Sequence, residues 1–155
     1  MRRLRLWGLA LLAALAALAA YMRLAPIDPG RWHADLAAPG FTPEGAAFCP
    51  EAGSRDVIAG GLDAIARVAE TWPRTRLIAG SLEEGRMTWV TRSRIFGFPD
   101  FTTAQIVRKG GEDMVCLAAR QGYGAADFGV NPHRLGAWLM TAQGLPEPPP
   151  LRWLE

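Results

Sequence analysis

The sequence has few of the residues from which catalytic sites are usually built. It holds two histidines, two cysteines and two tyrosines in 155 residues. His33 lies in a Pro/Gly-rich stretch and His133 just ahead of a helical pattern, and neither has a companion at metal-ligand spacing. Cys49 and Cys116 are too far apart for a close-spaced zinc pair. There is no phosphate-cradling glycine motif and no nucleophile elbow. These absences argue against zinc, P-loop and serine-hydrolase chemistry, so neither a metal nor a cofactor is expected. Lysine is nearly missing as well: Lys109 is the only one, and all other fixed positive charge is arginine.

Charge is absent altogether from residues 6–22, LWGLALLAALAALAAYM. At about 1.5 Å rise per residue this run reaches roughly 25 Å, the short end of a membrane span. Arg2, Arg3 and Arg5 precede it and Arg23 follows. The positive-inside bias therefore predicts a cytoplasmic N-terminus with residues 24–155 outside. The expected location is the inner (cytoplasmic) membrane, single pass, with the C-terminal domain on the periplasmic side. The competing reading is a cleavable signal peptide that leaves the domain secreted to the periplasm. Small residues near Leu18-Ala19-Ala20 suit a peptidase, whereas Tyr21-Met22-Arg23 is an awkward mature start. The formal charge of +2 divides unevenly. Once the four flanking arginines are set aside, 13 basic residues face 15 acidic ones. A domain so close to neutrality is a poor nucleic-acid binder.

The pattern divides the chain into four parts: a signal anchor (1–23), a Pro/Gly-rich linker and lead-in (24–53), a compact α+β domain (54–144) and an extended tail (145–155). The lead-in carries five prolines and four glycines, which disfavour a long helix or central strand. Trp32, Phe41 and Phe48 could lie against the domain. Ser54–Ala59 reads as a first strand. Leu62, Ile65, Ala69 and Trp72 recur as one helical stripe, ended by Pro73. Arg76–Ala79 begins the next strand and Glu83-Glu84-Gly85 turns it. Arg86–Phe96 reads as a strand with Met87, Trp89 and Ile95 on one side and Arg86, Thr88, Val90, Arg92 and Arg94 on the other. Gly97–Asp100 connects to strand Phe101–Arg108, Lys109–Glu112 is a hairpin turn, and Asp113–Gln121 returns. After the glycine-containing loop 122–130, Asn131 is expected to cap a helix that Pro132 opens. Leu135, Trp138, Leu139 and Ala142 form its stripe, and Gly144 and Pro146 stop it. The fold class is α+β: an antiparallel sheet of four to five strands with two helices on one face, in the order β-α-β-β-β-β-α, after one transmembrane helix.

Two clusters are candidates for binding. Arg86, Arg92, Arg94 and Asp100 would stand on the sheet face away from the helices, where guanidiniums can grip a carboxylate or phosphate. The plainer alternative is cross-strand pairing with Asp or Glu. Tyr123, Asp127, Asn131 and Arg134 form the second cluster, although an Asp at a helix entrance ordinarily organises the loop and the helix dipole. Glu83-Glu84 and Glu112-Asp113 read as solvated turn residues. Cys49 and Cys116 either form a disulfide or remain buried thiols.

The segments VTRSRIFGFPD (90–100) and YGAADFGVNPHRL (123–135), with WPRTR (72–76) and FCP (48–50), resemble the family called domain of unknown function 1499 across residues 41–143. The resemblance implies a bacterial or plastid-type protein, often with a hydrophobic N-terminus, and implies no reaction. Relatives carry basic or hydroxylated loop residues where this chain has Gly122, Ala125 and Ala126, which implies weaker anion binding by the loop here.

Together these readings predict a membrane-anchored envelope protein acting as a non-enzymatic binding or assembly module. Its expected partner is another envelope protein or an anionic lipid. The alternatives are a purely structural domain, or a hydrolase acting on an envelope component through Asp100, Asp127 or Tyr123 as acid–base groups.

Overall fold

The structure is a computed structural model that describes residues 2–53, 61–124 and 127–149. It is α+β, with one antiparallel five-stranded sheet, a long apolar N-terminal helix and a C-terminal helix. The elements are α1 (Arg2–Leu24), α2 (Pro29–Trp32), β1 (Ala46–Phe48), α3 (Gly61–Thr71), β2 (Thr75–Ser81), β3 (Arg86–Arg92), β4 (Pro99–Lys109), β5 (Glu112–Gln121) and α4 (Val130–Ala142).

The side chains of helix α1 are exposed along nearly its whole length, and its last turn meets the domain through Met22 and Arg23. It is long and apolar enough to cross a membrane or to act as a signal. Arg23 ends it favourably, donating to the Ala19 carbonyl oxygen near the negative end of the helix dipole.

The strands run β1-β5-β4-β3-β2 across the sheet. Four are sequence neighbours because tight turns join them. Gly110 and Gly111, at φ 59° and 90°, supply the two left-handed residues of the β4–β5 hairpin. Both α3 and α4 lie on one face, burying Leu62, Ile65, Ala69, Leu135 and Trp138 against Met87, Trp89, Ala104, Val115 and Leu117. Trp138 is the centre of this core, meeting Trp89 and Trp72 edge-on at 5.7 and 6.2 Å between ring centroids.

The strand expected at Ser54–Ala59 lies outside the described residues; among the described residues the strand ahead of α3 is β1, within the lead-in. It pairs with β5 through Ala46, Ala47 and Phe48. Other sequence expectations need correction. β3 ends at Arg92 rather than Phe96. Arg92 is paired with Pro99, so the chain must reverse within residues 93–98. Ser93 holds that reversal: its hydroxyl oxygen and backbone carbonyl accept from Phe98 N and Gly97 N. Ile95 is therefore a turn residue, 72% exposed, and not part of the core. β4 begins at Pro99, a position a strand tolerates because it is the first residue.

The lead-in crosses the other face of the sheet. Trp32 stacks on Phe101 at 3.7 Å with a 9° interplanar angle. Arg120 covers the outer side of Trp32 at 4.7 Å and donates to the Arg31 carbonyl oxygen. Gln105 holds the same segment twice, donating to Asp35 and accepting from Leu36 N, each at 2.7 Å. Cys49 and Cys116, 67 residues apart, are joined in a disulfide that ties the end of the lead-in to β5.

Candidate functional site

Strand alternation puts Arg86, Thr88, Val90 and Arg92 on the face away from the helices, as the pattern requires. Their surroundings differ from an open basic face. Arg86 is engaged, donating from Nη2 to Glu84 Oε1 at 2.9 Å, with its Nε 2.9 Å from His33 Nε2, which itself lies 2.8 Å from Glu84 Oε1. His33 also meets Thr88 Oγ1 through Nδ1 at 2.8 Å, and Thr88 meets Thr103 at 2.8 Å. Hydrogen bonds from His33 and Arg86 hold the Glu84 carboxyl below the usual carboxylate range. Asp35 is held low in the same way, by Gln105 and then by Ala37 N. Arg86 is thus a clamp for the lead-in, and Glu84 is not merely a solvated turn residue.

Arg92 sits at the opposite end of the same face. It donates to the carbonyl oxygens of Met22 and of Gly97, the latter at 3.0 Å. Burial lowers its pKa, and the neighbouring charges of Arg76 and Arg23 add to the effect. Around it Arg23, Arg74, Arg76 and Arg94, with Thr75, Val90, Ser93 and Gly97, line a cavity of about 430 Å³. Arg76 reaches it because it is paired with Val90 and shares that strand's face. Arg74 reaches it by adopting φ 58° just before β2 and donating from Nε to the Arg92 carbonyl oxygen at 3.0 Å. Arg23 arrives from the last turn of α1 and donates to the carbonyl oxygens of Arg94 and Ile95. Close approach of its side chain to Gly97 needs the missing Cβ, which would fall 2.5 Å from Arg23 Cγ. No carboxylate lines the cavity, and none of these five arginines forms an ion pair among the described residues.

Asp100 does not belong with those arginines. It lies on the helix side of the sheet and joins the second cluster instead. Arg134, 3% exposed, donates from Nη1 to Asp100 Oδ2 at 3.3 Å and from Nε to Thr102 Oγ1 at 3.3 Å. It also donates from Nη2 to Asn131 Oδ1. Burial raises the Asp100 pKa, and attraction to Arg134 offsets only part of that rise. Burial likewise lowers the Arg134 pKa against the pull of Asp100 and Asp127.

Asn131 is not the helix cap. It is 1% exposed and faces Arg134, while Gly129 occupies the N-cap position without a side-chain bond. The capping carboxylate is Asp127, which accepts from Gly129 N at 3.0 Å and Asn131 N at 3.1 Å. Burial opposes its charge, but these backbone donors outweigh it and leave its pKa lowered. Tyr123 is 50% exposed on the loop before it.

The structure therefore brings Asp100, Asp127, Asn131 and Arg134 together, separates Asp100 from Arg86, Arg92 and Arg94, and separates Arg86 from the other two. Sequence reading missed Arg74 and Arg76 as site residues, and used Arg23 only as a charge flanking the apolar run. The spacing of Arg76 and Arg92 on adjacent strands was visible, but not the register that aligns them. Among the described residues no group of His, Cys, Asp and Glu could hold a metal ion. No family model, curated protein or solved structure matches the chain.

Proposed function

We propose that this chain is a membrane-tethered, non-enzymatic binding module of the domain of unknown function 1499 type. On this reading α1 is an uncleaved anchor, and the domain stands on the periplasmic side and captures an anionic group through Arg23, Arg74, Arg76, Arg92 and Arg94. The observation that carries it is the cavity lined by five guanidiniums and, among the described residues, by no carboxylate. Arginine forks bind phosphate and carboxylate oxygens bidentately, and like charges gathered without a counter-ion favour an anion. Arg86 leaves the binding set because Glu84 and His33 occupy it.

The test is a thermal melt of the full chain in neutral detergent at fixed ionic strength. Phosphate should raise the Tm above its value in chloride, because a ligand that binds the native state stabilises it. Arg76→Gln with Arg92→Gln should abolish the rise. Identical melts in phosphate and chloride would remove the reading.

A structural role for the second cluster is favoured by a specific observation. Asp100 and Arg134 satisfy one another, and Asp127 spends its oxygens on backbone N–H groups. A hydrolase would need one of these carboxylates free to exchange a proton with substrate.

A further inference from the structure

The position of the arginine cavity says more than its charge. Arg23 belongs both to the last turn of α1 and to the cavity wall. The backbone of Met22, one residue earlier, accepts from Arg92. If the apolar run spans the hydrocarbon core, its C-terminal end reaches the polar layer, where lipid phosphates lie. The cavity then opens at the depth of the headgroups. Beside it the turn 93–98 presents Ile95, 72% exposed, and its backbone is tied to Arg23. Phe96 and Phe98 lie against each other in the same turn, with ring centroids 5.7 Å apart. An apolar tip beside a cationic cavity suits an interface that is oily on one side and anionic on the other.

We propose that the arginine cavity holds the phosphate of an anionic phospholipid from the leaflet in which α1 ends, with Ile95 resting in the interfacial layer. This rests on the reading of the chain as a tethered anion-binding module. A freely diffusing phosphate would satisfy the guanidiniums equally, but it would leave both the placement at the helix exit and the exposed Ile95 without a role. The guanidiniums of Arg76 and Arg94 form no hydrogen bond or ion pair among the described residues, so their donors are available to the headgroup. Arg23, Arg74 and Arg92 are partly spent on backbone carbonyls and give the cavity its shape.

The experiment is native mass spectrometry of the full chain in neutral detergent, titrated with phosphatidylglycerol, with phosphatidylcholine and with soluble glycerol phosphate. Phosphatidylglycerol should bind in preference to phosphatidylcholine. Arg76→Gln with Arg94→Gln should weaken it about thirtyfold, or about fivefold for each arginine near the surface. Arg76→Lys with Arg94→Lys should retain much of the binding, and Tm values must show that both variants are folded. Ile95→Ser should weaken phosphatidylglycerol and leave glycerol phosphate unchanged. Equal retention of the two lipids overturns the lipid assignment, as does phosphatidylglycerol binding unaffected by Arg76→Gln with Arg94→Gln. Glycerol phosphate binding as tightly as phosphatidylglycerol overturns the lipid source but leaves the anion-binding module standing. Failure of every anion to bind the folded chain removes both readings.

Discussion

Arg134 and Asp100 show how a residue's role follows from what surrounds it. Both were candidates for ligand contact, Asp100 beside the arginines of the sheet face and Arg134 at the loop and helix start. In the fold Arg134 is buried, and its charge is met by Asp100, Thr102 and Asn131. Removing one partner of a buried pair strands the other, so Arg134→Ala should cost about 3–5 kcal/mol. Arg134→Met combined with Asp100→Asn should cost clearly less, and urea midpoints would separate the two. Asp127→Ala should cost about 1 kcal/mol through the lost cap. The sign of its pH dependence follows from its lowered pKa. The stabilisation from Asp127 is fully present above the unfolded carboxylate pKa and is lost as pH falls through the lower folded value. Stability measured from neutral pH into acid should therefore fall less steeply for Asp127→Asn than for the native chain.

At the scale of elements, the weak member is β1. It has three residues, pairs only with β5, and sits at an edge of the sheet. The Cys49–Cys116 bridge immediately follows it and closes a loop of 67 residues. In the chain-entropy model such a bridge contributes about 4 kcal/mol. Reduction should lower the urea midpoint accordingly, and amide exchange should rise first at residues 46–48. Gly45→Ala should act on the same element without touching the sulfurs. Its Cβ would fall 2.3 Å from the Ala119 carbonyl oxygen, so the backbone of β1 must move away from β5. Loss of exchange protection at 46–48, with β2, β3 and β4 unaffected, is the expected result. The turns were legible because their chemistry is local: the Gly-Gly hairpin and the glycine that closes β2 to β3 require left-handed backbone. Ser54–Ala59 reads locally as a strand and lies outside the described residues, whereas β1 has only Ala-Ala-Phe, carries no such local signal and depends on its pairing with β5.

For the whole molecule, the proposal of an anchored domain predicts a protease pattern. Digestion of spheroplasts should remove residues 24–155 while protecting an N-terminal tag, and the mass of the undigested chain should include residues 1–22. A chain beginning near Tyr21 would instead mark a cleaved signal. The two ends of the non-helical sheet face have different tasks. At one end His33, Asp35, Glu84, Arg86 and Gln105 bind the lead-in to the sheet. At the other, five arginines converge where α1 leaves the domain. Of the proposed binding residues only Arg92 and Arg94 were legible as such beforehand.

Alternation, helical spacing, turn residues and a charge-free run are local patterns that depend only on nearby residues, and the sequence by itself determined the elements they specify. Those are the apolar N-terminal helix, the antiparallel meander of β2 to β5, the α3 and α4 stripes and the Gly110-Gly111 turn. Only the tertiary structure decided which charges are satisfied and which have no counter-ion among the described residues. Arg86 and Arg92 are equivalent in the sequence, two arginines on one face of one strand. The lead-in brings His33 to Arg86, and α1 brings Arg23 and more positive charge to Arg92. That difference arises from segments 53 and 69 positions away in the chain, and no periodicity along β3 could contain it.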